Sequence, residues 1–111
     1  MPINARTLVE AKSVEQVQTT QYVATVTAVI IDKMTATNYS SAARTISVNL
    51  VPAGQGAGDS NLIVKAKTLQ PSETYTFPEI AGHILNTGDS ISTLGSLAAS
   101  MNFRVSGREI S

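Results

Sequence analysis

Residues Arg44 to Val51 read Arg-Thr-Ile-Ser-Val-Asn-Leu-Val, with Ile46, Val48 and Leu50 alternating with Thr45, Ser47 and Asn49. A period of two is that of a half-buried strand, because successive side chains leave a pleated backbone on opposite faces. Upstream, Ala28 to Thr37 is equally rich in Val, Ile and Thr but changes phase: Val29 and Ile31 fit one face, Ile30, Met34 and Ala36 the other. A strand with a bulge, or one buried on both faces, near Ile30 and Ile31 accounts for the slip. Asn38 to Ala43 makes the turn between the two strands.

Working outward, the same pattern recurs in short pieces. Leu62 to Lys67, Thr74 to Phe77, Ser90 to Leu94 and Met101 to Val105 each read as a strand, and Gly107 permits a bulge before Glu109 and Ile110. Turns separate them: Gln70-Pro71-Ser72-Glu73, with Pro at its favoured early position, and Asn86-Thr87-Gly88-Asp89. Pro78 to Leu85 is the one candidate helix, of one or two turns, because Ile80, Ile84 and Leu85 fall at helical spacing while Gly82 weakens it. The first twenty residues form an N-terminal arm or edge strands, since Leu8, Val9, Val14 and Val17 fit either a polar helix or two short strands. Residues 21–111 then make one domain. Seven or eight short strands with turns every eight to twelve residues predict an all-β antiparallel sandwich, jelly-roll-like. Its core is expected to hold Val29, Ile31, Ile46, Val48, Leu50, Tyr75, Phe77, Ile91, Leu94, Phe103 and Val105.

Composition agrees with one packed domain and narrows its chemistry. The chain has 111 residues, 42% of them hydrophobic, which separates it from disordered chains. Its 12 Ser and 13 Thr accompany abundant Val and Ile, the residues of turns and of pleated strands. Eight basic side chains balance eight acidic ones, so nothing concentrates the positive charge that a nucleic-acid binder needs. Cysteine is absent, which removes disulfides, thiol catalysis and thiolate metal sites. No apolar run approaches the ~20 residues of a membrane-spanning helix. Met1 to Arg6 lacks the basic-then-apolar order of a secretory signal, so action outside a secretory route is expected.

Candidate sites are few. His83 is the single histidine, and Glu79 four residues earlier would share a helical face with it, but a base or metal ligand needs further partners and none is in view. Gly54-Gln55-Gly56-Ala57-Gly58-Asp59 has three glycines in five positions, a surface loop. It lacks the sixth-position glycine of a dinucleotide fingerprint and the Lys-Ser or Lys-Thr of a phosphate loop. Asp59, Asn61 and Asp89 read as turn residues that bond nearby backbone amides rather than as calcium ligands. Lys65 and Lys67 are expected on one strand face, guarding an edge against sheet extension. Asn38-Tyr39-Ser40 matches the glycosylation sequon, which has no meaning without secretion. Tyr22, Tyr39 and Tyr75 supply little for stacking on sugars or bases. No catalytic residue, cofactor or metal is therefore expected.

Several stretches together resemble a group of small tailed-bacteriophage virion proteins. They are the run from Ala28 to Asn38, Thr45 to Gly54 with its Val51-Pro52-Ala53-Gly54 ending, Gln70-Pro-Ser-Glu-Thr-Tyr75, Leu85-Asn-Thr-Gly-Asp89 and Val105-Ser-Gly-Arg-Glu109. The resemblance spans about residues 20 to 110. It implies a capsid decoration or cement protein with a jelly-roll-like fold and no active site, made in the host cytoplasm and carried on the capsid exterior. The implied partners are the major capsid protein and further copies of the chain, as a dimer or trimer, with neither nucleic acid nor membrane. The competing expectation is a tail- or fibre-associated receptor-binding module, with Tyr39 or the Gly54 to Asp59 loop doing the recognising. Loss of the arm is expected to weaken assembly while leaving the sandwich folded.

Overall fold

The computed structural model describes residues 2–111, and Met1 lies outside them. Nine strands follow in order: β1 (Ile3–Ser13), β2 (Thr19–Val23), β3 (Ala28–Asn38), β4 (Arg44–Val51), β5 (Leu62–Leu69), β6 (Thr74–Tyr75), β7 (Ile84–Asn86), β8 (Ser90–Gly95) and β9 (Met101–Ile110). A single 3₁₀ turn, Asp59–Asn61, precedes β5. No helix among the described residues is long and apolar enough to cross a membrane.

The pairing is nested. β1 pairs with β9, β2 with β8, β3 with both β6 and β7, and β4 with β5, all antiparallel. The chain is thus one long hairpin with residues 52–61 at its tip. Two further pairings, β3 with β9 and β4 with β8, roll that hairpin into two sheets. Sheet A runs β1-β9-β3, with β6 and β7 sharing the far edge of β3; sheet B runs β2-β8-β4-β5. This is a jelly roll, an all-β sandwich of two antiparallel sheets in which the sixth of eight strands is split into β6 and β7.

Apolar faces of the two sheets meet in one core. Val29, Ile31, Ile46, Val48, Phe77, Ile91, Phe103 and Val105 are buried in it, as their periodicity predicts. Leu50 and Tyr75 are half-buried against it. Leu94 is not part of it: it pairs with Ser47 on the outer face of sheet B, because residues three apart from Ile91 cannot share its side of a regular strand. Val9, Val14, Ala24, Met34, Ala36, Val64, Leu69, Ile80, Leu85 and Met101 complete the interior.

The phase slip in β3 is a bulge, one position later than expected. Its register against β9 shifts between Ile31 and Lys33, so Asp32 and Lys33 both lie exposed between the buried Ile31 and Met34. The extra residue returns Met34 and Ala36 to the face of Val29 and Ile31, and Ile30 alone points outward. β1 shifts its register against β9 between Thr7 and Val9, at the same level. β9 itself stays in strand through Gly107 to Ile110, so the bulges belong to its two neighbours.

Two expectations are corrected. Residues Pro78 to Leu85 form no helix: Phe77 has φ +46° and Gly82 φ +89°, and tight turns closed by Ile80 N to Phe77 O and His83 N to Ile80 O lead straight into β7. The free edge of β3 accepts β7 as a partner, which turns Leu85 inward and Ile84 outward and breaks the supposed helical face. Likewise Lys65 and Lys67 do not share a face. Ala66 takes φ +48° in a bulge opposite Ile46 to Val48, which leaves Lys65 outward and puts Lys67 on the side of Ile46.

The segment ahead of residue 21 holds β1, an outer strand of sheet A, and the start of β2, an outer strand of sheet B. Val9 and Val14 carry it into the core.

Candidate functional site

His83 lies exposed on the turn before β7, where its carbonyl accepts the Ile31 N–H at 2.9 Å. Glu79 faces elsewhere, taking the Tyr75 hydroxyl on both carboxylate oxygens at 2.7 and 2.6 Å. That hydrogen bond holds the Glu79 carboxyl below its ordinary range and raises the Tyr75 phenol. Tyr75 also meets Phe77 edge-on at 4.8 Å and carries the Lys67 ammonium 4.6 Å above its ring. Lys67 therefore caps the rim of the core through its stem and charge. Among the described residues no group of three or more His, Cys, Asp or Glu side chains is placed to hold a metal ion.

The glycine-rich loop is tied down. Asn61 accepts from the Gly58 amide at 3.1 Å and donates to the Gly56 carbonyl at 2.9 Å, and Asn49 of β4 donates to both Gly58 and Asn61. The loop folds back over the outer face of sheet B, with Gln18 bridging to Ser92. Asp89 accepts from the Ala53 and Asn86 amides. Asn61 and Asp89 act as turn residues, bonding backbone in the way their side chains favour. Asp59 is exposed.

One partly buried polar cluster ties the two sheets together. Glu109 of β9 faces inward and is only 8% exposed; it accepts the Tyr22 hydroxyl from β2 at 2.5 Å and the Arg6 guanidinium from β1 at 3.0 Å. Burial, then the Glu109 hydrogen bond, push the Tyr22 phenol well above its ordinary value. A phenol held neutral in this way adds stability fully below the ordinary tyrosine pKa of about 10, and that stability is lost as pH rises toward the folded-state value. Thermal melts from pH 8 to 12 are expected to fall more steeply for the native chain than for Tyr22→Phe. Phenolate absorbance at 295 nm should show Tyr22 ionising only as the fold is lost; ionisation before unfolding contradicts the arrangement.

The outer face of sheet A carries exposed side chains from β1, β9, β3 and β7. Directly opposed residues of antiparallel strands share a face, so the register gives its rows. At one end Ile3, Ile110 and Ala28 lie side by side, and in the next row Ile30 pairs with Ile84. Ile3 and Ile84 are each 61% exposed. These residues come from four strands and form one apolar cluster. In that same row Arg108, opposite Ile30, borders the cluster and clasps Asp32 through Nε and Nη2 at 2.8 to 3.1 Å, which holds the Asp32 carboxyl low. The rest of the face mixes Thr, Ser, Asn, Lys and Arg side chains with Ala5 and Ala11, and holds a shallow hollow of about 360 Å³ along β1, β9 and β3 whose lining is more apolar than polar. Of the residues singled out from the sequence as candidate sites, Tyr39 reaches the edge of this face, its hydroxyl 3.3 Å from the Ser13 Oγ that donates to Asn102. The available signal was Ile30, off phase between Val29 and Ile31.

No protein-family model matches the chain, and no curated protein matches it. Among solved structures, a chain in the structure of infectious bursal disease virus, Gx strain, is similar over 96% of this chain at 14% identity with a TM-score of 0.49. This chain spans about a third of the length of that one, 32%.

Proposed function

We propose that this protein is a non-enzymatic structural component of a virion, decorating and stabilising a capsid shell, and that it docks through the apolar end of the outer face of sheet A. The carrying observation is the apolar cluster of Ile3, Ala28, Ile30, Ile84 and Ile110 at one end of that face. Scattered apolar side chains are ordinary on a protein surface, whereas a contiguous patch rimmed by polar residues marks an interaction site. The sequence resemblance to small tailed-phage virion proteins points the same way. So does the separation of the titratable groups, with Glu79 on Tyr75, Glu109 on Tyr22 and His83 apart from both. The partners in this reading are the major capsid protein and sister copies, on the capsid exterior.

The physics is mass action. A ligand selective for the intact shell stabilises it in proportion to its occupancy, and a lattice of equivalent sites lets modest single contacts act together. Removing one buried apolar anchor from a small interface weakens it strongly. Ile84→Lys is expected to reduce co-sedimentation with shells lacking the protein by about tenfold or more in affinity, with the melting curve unchanged because the side chain is exposed. Cryo-electron microscopy of virions with and without the gene, joined to a heat or osmotic challenge, tests the reading directly. Density at the tail tip, or shells that survive the challenge equally well without the protein, overturns it in favour of a receptor-binding module.

A further inference from the structure

We infer that the hollow on the outer face of sheet A is a binding site for an acidic saccharide, with Lys33 and Arg104 receiving its carboxylate. Its floor is laid out by the register: Lys33 lies opposite Ser106, Thr35 opposite Arg104 and Thr37 opposite Asn102. Lys33 and Arg104 are therefore diagonal neighbours on one face, a separation that long side chains bridge. Neither has a carboxylate partner. The ion pairs among the described residues are Arg6 with Glu109, Lys12 with Glu15 and Arg108 with Asp32. Arg104 donates only to the Thr7 hydroxyl, at 2.9 Å. Across this diagonal the two positive charges repel, and no carboxylate among the described residues pairs with either. An external anion does.

The surroundings select among anions. Thr35, Ser106 and Asn102 present hydroxyl and amide groups, and Asn102 Oδ1 accepts from Ser13, which leaves its amide nitrogen free to donate. Sugar hydroxyls need such paired donors and acceptors, and a guanidinium fork matches a carboxylate. No aromatic ring projects into the hollow, since Phe103 beneath it is turned into the core, so stacking of a base is not provided. Two cations on a chain of zero net charge also give little grip on a polyphosphate backbone. At about 360 Å³ the hollow stands at the low end of ligand pockets, which begin at about 300 Å³.

The test is a nitrogen-15 nuclear magnetic resonance titration of the full chain with a galacturonic acid tetramer. Neutral maltotetraose, free acetate at matched carboxylate concentration and a short single-stranded DNA serve as comparison arms. Saturable shifts at the amides of Lys33, Thr35, Arg104 and Ser106 with the uronate alone are expected. Lys33→Gln and Arg104→Gln should each weaken binding by about tenfold, the loss of one charge-assisted contact. Both residues are exposed, so the folded spectrum is retained. Ile84→Lys should leave this titration unchanged while losing shell binding, which separates the two surfaces. Equal shifts with acetate, equal or tighter binding of DNA at the same residues, no saturable shift, or indifference to both Gln variants overturns the assignment.

Discussion

Gly107→Ala is expected to lower stability by about 3 kcal/mol, the upper end for overpacking a filled site, and to lower Tm by about 10 °C. A Cβ built on Gly107 runs into the carbonyl oxygen of Ile30 and comes within 3.0 Å of Leu8 Cδ1. The first obstacle is backbone of the neighbouring strand and cannot swing aside. Gly107 stands opposite Ile31 and Arg6, at the level where β3 and β1 are both bulged, so β9 is squeezed from two sides. Gly56→Ala is the control, because nothing lies within 4 Å of a Cβ there. Its melt should match the native chain. A Gly107→Ala protein that melts within about 2 °C of the native one shows that the strands do not approach so closely, since a real clash costs more.

Removing residues 2–13 is expected to do more than weaken assembly: it should abolish cooperative unfolding. β1 is paired with β9 from Ile3↔Ile110 to Ser13↔Asn102, and Val9 lies in the core against Val105. Cutting it opens the ladder along the central strand of sheet A and strips one wall from the interior. That loss is of the same order as the whole stability of a small domain, about 5–15 kcal/mol. Differential scanning calorimetry should show no transition in the truncated chain. A synthetic peptide of residues 2–13 added in excess should restore one, since an exposed sheet edge accepts a strand from outside. A truncated chain that still melts cooperatively near the native temperature defeats this account and returns the segment to the role of a detachable arm.

Strand periodicity was legible wherever a strand is regular. Arg44 to Val51 alternates without interruption and is β4 to the residue. β3 was legible as a strand but its faces were not, because one extra residue at Asp32 exchanges inside for outside and the sequence does not mark where the insertion falls. Residues 78–86 misled for a different reason. Ile80, Ile84 and Leu85 fit a helical stripe, yet Ile80 is pinned in the core by turns that begin at a positive-φ Phe77, a long-range packing outcome with no local signal. Of the surface used by the proposed function only Ile30, off phase between Val29 and Ile31, left a mark in the sequence. Ile3, Ile30, Ile84 and Ile110 are far apart in the chain and become neighbours only through the nested pairing. The Gly54 to Asp59 loop drew attention by composition, while its anchoring by Asn49 and Asn61 required the fold.

The nested pairing also dictates an order of events during synthesis. β9, made after the other eight described strands, is the centre of sheet A, and the contact of Arg6 with Glu109 closes a span of 103 residues. Closing long loops is paid in chain entropy before the contacts repay it, so the β4–β5 hairpin forms early and the two ends meet last. Until β9 has left the ribosome, β1 and β3 lack the strand that lies between them. Both carry apolar residues with open edges, the form in which nascent chains pair wrongly. A chain that has folded everything up to residue 100 is therefore still unable to close sheet A, because the strand that joins its two halves is missing.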